Sequence, residues 1–254
     1  MANILITGAN QGIGYFMAEK FLSQGDSVAV LDVETDHLAA LQQQYPSRLL
    51  PLHCDVRDSA QVAGAVAAAA EAFSVIDIAI HNACLCTFAP LAQTDEATYQ
   101  AVFDVNYFGA VRLVKAVLPL MERQQSGRFL LVSSGVGIMG FGSISPYASS
   151  KGALESLAKC LSIEYEHQGI TFHIVHPPIT RTRSAAPFPL PEEFKADPKT
   201  VGYGIAAHSG AKSFLICHSF GQKVQTQLCY LLSLRMGRFM SHKMEALRPN
   251  AAEG

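Results

Sequence analysis

Three side chains near the middle of the chain could together move a proton: Ser134, Tyr147 and Lys151. Tyr147 and Lys151 lie four residues apart at the start of a predicted helix, and this spacing places both on one helical face. A free phenol has a pKa of about 10, and a neighbouring ammonium group favours its ionised form. We therefore expect Lys151 to lower the pKa of Tyr147 until the phenol exchanges a proton with an alcohol or carbonyl oxygen, which Ser134 holds by a hydrogen bond. Taken alone, the pair also fits a surface contact beside a serine-rich loop.

The N-terminal segment reads as a strand, a glycine loop and a helix. Residues 4–6 predict the strand and residues 13–22 the helix, with the loop T-G-A-N-Q-G-I-G between them. Glycine lets the backbone approach a pyrophosphate, and the helix start offers free N–H groups. The spacing departs from G-x-G-x-x-G, so the interpretation depends on the position between strand and helix. The expected dinucleotide contacts here are Gly8, Asn10, Gln11, Gly12, Ile13 and Gly14.

An acidic residue ends the second predicted strand, residues 27–31. Asp32 is placed to accept hydrogen bonds from both hydroxyls of a ribose and to repel a 2′-phosphate. No Arg or Lys lies in the glycine loop or beside Asp32, so the sequence favours NAD over NADP. Asp32 also fits a helix N-cap or turn residue.

Further apolar runs predict the sheet. Residues 48–53, 75–80 and 129–132 are apolar without alternation and are separated by helical segments. They predict an α/β fold of three layers, a Rossmann-type doubly wound parallel sheet of about seven strands with helices on both faces. Ligands of such sheets bind at the carboxyl ends of the strands, where Asp55 and Asn82 lie. We expect one domain over residues 1–254.

Composition excludes several classes of protein. The chain has 254 residues, of which 49% are hydrophobic and 16% charged, and a net charge of −2. These values are typical of a folded chain and give no sign of a nucleic-acid partner. The six cysteines follow no disulfide or zinc spacing, so we predict reduced thiols, no metal site and a cytoplasmic location. Neither a secretory signal nor an apolar run long enough to cross a membrane is visible.

Taken in order, the motifs resemble the short-chain dehydrogenase/reductase family over roughly residues 1 to 182. The matching pieces are TGANQGIG (7–14), Asp55-Val56, HNAC (81–84), Asn106, Ser134, YASSK (147–151) and HPPITRT (176–182). The resemblance implies an oxidoreductase that transfers a hydride between NAD(H) and a secondary alcohol or ketone, assembled as a homodimer or homotetramer.

The resemblance also implies a role for each matching residue. Tyr147 is the proton donor or acceptor, Lys151 lowers its pKa and binds the nicotinamide ribose, Ser134 orients the substrate oxygen, and Asn106 supports a water relay. The implied cofactor contacts are Tyr147, Lys151, Asp32, Asp55, Val56, Asn82, Ala83, Pro177 and Thr182, beside the glycine loop. Singly, Asn106 also fits a helix-surface amide, Asp55 a helix cap and Ser134 a strand-end hydroxyl.

Two positions depart from the family pattern. Cys84 stands where the family usually has glycine, which adds a side chain near the expected cofactor path. Pro178 also replaces glycine and removes an N–H group. The double proline resembles 3-ketosphinganine reductases, so an NADPH-dependent reductase of long-chain lipid ketones is one alternative. A nucleotide-sensing protein without turnover is another. His81 fits a hydrogen-bonded structural residue better than a catalyst.

The end of the chain predicts the surroundings of the substrate. Residues 181–198, with Pro187, Pro189, Pro191 and Pro198, predict a lid in which Phe188, Leu190 and Phe194 line an apolar pocket; a plain surface loop is the alternative. Residues 222–247 predict one amphipathic helix with apolar residues at steps of four: Val224, Leu228, Leu232, Met236, Met240 and Met244. Its basic residues are Lys223, Arg235, Arg238, Lys243 and, just beyond it, Arg248. Such a helix packs on its own protein or a partner copy, or lies on a membrane surface.

Overall fold

A seven-stranded, wholly parallel sheet forms the centre of the protein, in the order β3-β2-β1-β4-β5-β6-β7. The computed structural model describes residues 1–186, 188 and 190–247. The strands are β1 (Asn3–Thr7), β2 (Ser27–Asp32), β3 (Leu49–His53), β4 (Ile78–His81), β5 (Gly127–Val132), β6 (Ile170–Val175) and β7 (Leu215–Ile216). The order reverses between β1 and β4, which is where ligands bind in sheets of this kind. The predicted α/β doubly wound fold is confirmed.

Helices cover both faces of the sheet. They are α1 (Gly12–Ser23), α2 (Ala39–Gln44), α3 (Ser59–Phe73), α4 (Glu96–Phe103), α5 (Gly109–Gln124), α6 (Val136–Met139), α7 (Ser145–Glu164), α8 (Pro198–His208), α9 (Phe220–Leu231) and α10 (Ser233–Ala246). Alternate strand residues enter opposite cores: Leu5 packs with α3, α5 and α7, whereas Ile4 and Ile6 pack with α1 and α8. Burial on both faces explains why the strands are apolar throughout.

A π-helical turn joins α4 to α5 over Asp104–Phe108. Because this turn has one more residue per hydrogen-bonded ring than an α-helix, it rotates its side chains relative to the flanking helices. Asn106 points inward and is completely buried, so it is not a helix-surface amide.

Helices α5 and α7 contribute apolar side chains to the core beside the sheet. In α5, Val114 and Val117 are buried, and in α7 Leu154 is buried; all three belong to the core beside the sheet. These apolar residues are therefore explained by core packing within one chain.

The predicted single helix over residues 222–247 is wrong, because the chain breaks between α9 and α10. Leu232 leaves the helical conformation with φ −124° and ψ 34°. The break turns the apolar stripe: Val224, Leu228 and Leu232 are exposed, whereas Met244 is buried. Arg248 lies outside the described residues. Within the described part of the chain, no helix is long and apolar enough to cross a membrane.

The predicted lid is a chain of short turns. It contains 3₁₀ turns at Arg183–Ala185 and Glu192–Phe194, tied together by a bridge between Thr180 and Ala196. Phe188 and Leu190 are buried, as expected of pocket residues, but Phe194 is 57% exposed. Pro187 and Pro189 lie outside the described residues.

Candidate active site

The glycine loop leaves room only for backbone at three points. Gly8 and Gly12 have φ values of +67° and +65°, which favour glycine. A Cβ on Gly8 would lie 2.5 Å from the Ala83 Cα atom, and one on Gly14 would lie 2.5 Å from the Gly8 carbonyl oxygen. Gln11 caps α1 without a side-chain hydrogen bond, so the first N–H groups of α1 are available to an anion. The loop therefore has the features that pyrophosphate binding needs. Ile13 packs half-buried against the core beneath it.

Thr7 joins this loop to the end of β4. Its hydroxyl oxygen accepts hydrogen bonds from the backbone N–H groups of Asn82 and Ala83, each at 3.1 Å. The same hydroxyl lies 3.1 Å from Nδ1 of His81, and the Asn82 side chain donates to the Gly8 carbonyl at 2.6 Å. Burial lowers the pKa of His81 to about 3, helped by the charge of Lys151, so His81 is neutral. This is the structural role expected for His81. Thr7 itself was missed by the sequence analysis.

Asp32 holds the glycine loop from the second strand. Its carboxylate accepts hydrogen bonds from the backbone N–H of Asn10 at 2.9 Å and of Glu34 at 3.3 Å. The buried Asn10 side chain is hydrogen-bonded to Asp36 and His37 in the turn after β2, so it holds the glycine loop against this turn. One cation reaches this region from far along the chain: Arg183 lies 3.5 Å from Glu34.

Asp55 and Val56 follow β3, and the Asp55 carboxylate is already engaged. Arg57 binds it through two nitrogens at 2.6 to 3.0 Å, and hydrogen bonding to Arg57 holds the pKa of Asp55 below its usual range. Val56 is buried against Gly109 at the start of α5. Asp55 is not the cap of α3, because Asp58 accepts hydrogen bonds from Ala60 and Gln61 there.

Tyr147 lies between Ser134, Cys84 and Lys151. Burial raises the pKa of Tyr147 well above its ordinary value; the nearby Cys84 and Cys86 thiols raise it further, and hydrogen bonding with Ser134 works in the opposite direction. The pKa of Tyr147 is thus raised rather than lowered in this structure, in contrast to the net lowering expected from Lys151. Tyr147 is a neutral phenol, the form that donates a proton.

Lys151 is almost fully buried, one helical turn after Tyr147. Its ammonium donates to the Val132 carbonyl at the end of β5, at 2.7 Å, and lies 5.6 Å from the centre of the Tyr147 ring. Burial lowers the pKa of Lys151. The spacing argument thus placed the two side chains correctly, while burial disfavours the charged form of the lysine.

Asn106 fixes the segment that carries both cysteines. Its amide accepts from the Leu85 N–H at 2.7 Å and donates to the Leu85 carbonyl and to the Ser150 hydroxyl, both at 2.9 Å. The π-helical turn is therefore tied to α7 and to the end of β4. Ser150 is a further site residue that the sequence analysis missed.

A buried polar cluster supports the end of β6. Glu155 of α7 bonds Nε2 of His176 and accepts from the Tyr230 hydroxyl at 2.7 Å. Burial raises the pKa of Glu155, but hydrogen bonds from His176, Tyr230 and Ser133 together hold it below its ordinary value. His176 precedes Pro177 and Pro178, so this cluster fixes the start of the loop that carries Thr182 to within 3.1 Å of a Cβ built on Gly12.

Tyr147 packs against an apolar cluster. The buried members of this cluster include Phe188 and Met244, and Phe88, Ile179 and Met240 pack against the same cluster as Tyr147. The surroundings of the phenol are therefore mainly hydrocarbon and sulfur on this side.

A model of the short chain dehydrogenase family matches residues 2–192, three quarters of the chain. The chain belongs to the short-chain dehydrogenase/reductase family. Members of this family are oxidoreductases that use NAD(P), and the glycine loop described above fits such a dinucleotide.

Named relatives agree with this assignment. The oxidoreductase UcpA of Salmonella typhimurium is 36% identical over 184 residues, 71% of this chain and 70% of UcpA. The 2-(R)-hydroxypropyl-CoM dehydrogenase of Xanthobacter autotrophicus is 32% identical, over 70% of this chain and 74% of that enzyme. A crystal structure of a short-chain dehydrogenase from Streptomyces avermitilis superposes with a TM-score of 0.81 at 25% identity, covering 96% of this chain and 98% of that one. The match to the family model ends before α8, α9 and α10.

Proposed function

We propose that the protein transfers a hydride between NAD(H) and a secondary alcohol or ketone, with Tyr147 as the general acid or base. The observation that carries the proposal is the gathering of Ser134, Tyr147, Lys151 and Asn106 at the carboxyl ends of β4 and β5 and the start of α7, across from the glycine loop. The test is a spectroscopic assay of NADH with a panel of ketones and of NAD with the matching alcohols. Tight NADH binding without turnover on the whole panel would instead identify a nucleotide-sensing protein.

The protein residues have distinct tasks in this reaction. When bound, the nicotinamide supplies or accepts the hydride. Gly8, Gly12 and Gly14 accommodate the pyrophosphate at the start of α1, and Lys151 holds the nicotinamide ribose. In reduction, Ser134 donates a hydrogen bond to the carbonyl oxygen.

Tyr147 completes the reduction. Its neutral phenol delivers a proton to the developing alkoxide, and in oxidation the phenolate removes that proton from the alcohol. Asn106 keeps the backbone of Leu85 in place beside the reacting groups. The remaining cofactor contacts we propose are Asn10, Gln11, Ile13, Asp32, Asp55, Val56, Asn82, Ala83, Pro177 and Thr182.

Asp32 should select NADH over NADPH, because its carboxylate repels a 2′-phosphate at the end of β2. Asp32→Asn keeps the shape and removes the charge, so we expect the ratio of NADPH to NADH affinity to rise by about 10- to 100-fold. Cofactor titration followed by fluorescence measures this ratio.

Glu71→Gln is the matched control, since it removes one negative charge from an exposed position on α3. It should leave the ratio unchanged. If wild-type protein already prefers NADPH, Arg183 rather than Asp32 dominates this region and the NAD assignment fails.

The raised pKa of Tyr147 predicts opposite pH profiles for the two directions. Below that pKa the phenol stays protonated, so kcat/KM for ketone reduction should be flat around neutral pH. Oxidation needs the phenolate, so its kcat/KM should rise about tenfold per pH unit up to the pKa. Steady-state profiles in both directions measure this.

Cys84→Ala removes a group that raises the pKa of Tyr147. It should shift the alkaline limb of the oxidation profile to lower pH. Cys160→Ala, at an exposed position later in α7, should not shift it. An alkaline limb at the same pH in Cys84→Ala as in the wild type would show that this thiol does not influence the pKa of Tyr147.

The apolar cluster beside Tyr147 favours an apolar substrate. Phe88 and Met240, the partly buried residues at the margin of this cluster, offer hydrocarbon and polarisable sulfur to a ligand. We therefore propose that alkyl or aryl ketones give higher kcat/KM than polyhydroxylated ones. This also keeps the reduction of a long-chain lipid ketone open as the second candidate activity.

We further propose that the enzyme is cytoplasmic, with its six cysteines as free thiols, and that it forms a homodimer or homotetramer.

A further inference from the structure

Helix α9 presents its most apolar side to the outside. Phe220, Val224, Leu228 and Leu231 recur at helical spacing and are 81%, 41%, 45% and 78% exposed. The opposite side of α9 buries Thr226 and Cys229 instead. A helix packed only on its own protein would show the reverse arrangement, because burial of apolar side chains stabilises the folded state.

The exposed side of α10 also carries large apolar side chains. Leu234 and Phe239 are 70% and 61% exposed and lie about 140° apart around the helix axis. The other face of α10 is held against the protein: Gly237 lies so close to the loop after α6 that a Cβ there would be 2.5 Å from the Gly140 carbonyl oxygen. We call the exposed set Phe220, Val224, Leu228, Leu231, Leu234 and Phe239 the C-terminal apolar surface.

The charges on these two helices are of one sign. Residues 220–247 contain Lys223, Arg235, Arg238 and Lys243 but a single acidic residue, Glu245, whereas the whole chain has a net charge of −2. Arg235 and Arg238 are exposed beside Leu234 and Phe239. Cations next to exposed apolar side chains match the interface of an anionic bilayer, where apolar groups enter the acyl region and basic groups meet phosphate.

A second copy of the chain is a poorer match for this surface. A two-fold interface brings the same patch of both subunits together, so it would gather Arg235 and Arg238 of both copies, four cations with no acidic residue among residues 220–239 of either copy, in one interface. Like charges at a desolvated interface oppose association. We propose that the C-terminal apolar surface docks the protein on an anionic lipid bilayer.

The test is sedimentation of the full chain with vesicles of phosphatidylcholine alone and of phosphatidylcholine mixed with phosphatidylglycerol. We expect binding to the mixed vesicles, weakened by added salt. Leu231→Ser with Leu234→Ser should weaken it at least about tenfold, because two apolar side chains no longer enter the bilayer. Arg235→Gln with Arg238→Gln should weaken it by a similar factor, at about fivefold for each charge removed.

Leu91→Ser is the matched control, since Leu91 is as exposed as Leu234 but lies on a different element. It should bind like the wild type, and thermal unfolding shows whether each variant is folded. Equal binding to both kinds of vesicle, unchanged binding by the leucine variant, or no binding at all would overturn the proposal. Light scattering tests the alternative that a second copy of the chain covers this surface. In that case the wild type forms an oligomer and does not bind vesicles, and the leucine variant is dissociated.

Discussion

Replacing Tyr147 with phenylalanine should reduce kcat/KM in both directions by about 10²- to 10⁴-fold, the usual contribution of a positioned proton donor or acceptor. The ring still packs against the apolar cluster around Phe188 and Met244, so the fold should be unchanged. Cofactor affinity should change little, because the phenol acts on the substrate oxygen. Steady-state kinetics with NADH titration measures both quantities.

Tyr99→Phe is the matched control for this experiment. The Tyr99 hydroxyl of α4 lies 2.5 Å from the Ser145 hydroxyl at the start of α7, the helix that carries Tyr147; Tyr99 is half-buried and Ser145 is exposed. The control loses the same atom nearby and should keep wild-type kcat/KM. If Tyr147→Phe also keeps most of its activity, Tyr147 has no part in proton transfer, and the assignment of Ser134 and Lys151 as its partners fails with it.

The largest effect on stability should come from Glu155. Glu155→Ala leaves the buried His176 and the more exposed Tyr230 without their shared partner, and breaking a buried pair such as Glu155–His176 costs about 3–5 kcal/mol in the free energy of unfolding. Glu155→Gln keeps the shape of the side chain, so its free energy of unfolding should lie between those of the wild type and Glu155→Ala. Denaturant unfolding measures the difference, and Glu164→Ala, exposed near the end of the same helix, should stay within about 0.5 kcal/mol of the wild type.

The pH dependence of stability provides a second measurement on Glu155. Its pKa is lower in the folded protein than its ordinary value of 4.5, so its contribution is fully present above pH 4.5. That contribution is lost as the pH falls through the lower folded value. Glu155→Ala should therefore show a flatter loss of stability in acid than the wild type. Parallel curves for the two proteins would contradict the lowered pKa.

Local pattern was sufficient for the fold and for much of the site. The apolar strands, the glycine loop and the spacing of Tyr147 and Lys151 each follow from rules that act over a few residues, and the structure places these elements as expected. Asp32 was likewise visible because it ends a predicted strand, whereas Asn106 was predicted only from the resemblance to the family.

The protonation state of Tyr147 was not visible in the sequence. It depends on Cys84 and Cys86, which precede Tyr147 by more than 60 residues in the chain, and on burial by the lid and α10. The break after α9 was hidden for a similar reason. The apolar spacing runs on through Leu232, but the close approach of Gly237 to Gly140 and the hydrogen bond from Gly142 to Ser241 decide the direction of α10. Both are tertiary contacts, which local propensity does not report.

The π-helical turn makes the position of Asn106 a matter of chain length as well as of side chain. Successive residues of an α-helix are rotated by about 100° around its axis. Loss of either Val105 or Tyr107 would allow a continuous regular helix and would turn the amide away from Leu85 and Ser150, with every catalytic side chain still encoded. In this segment a one-codon deletion is therefore equivalent to an active-site substitution, and residue count is under the same functional constraint as residue identity.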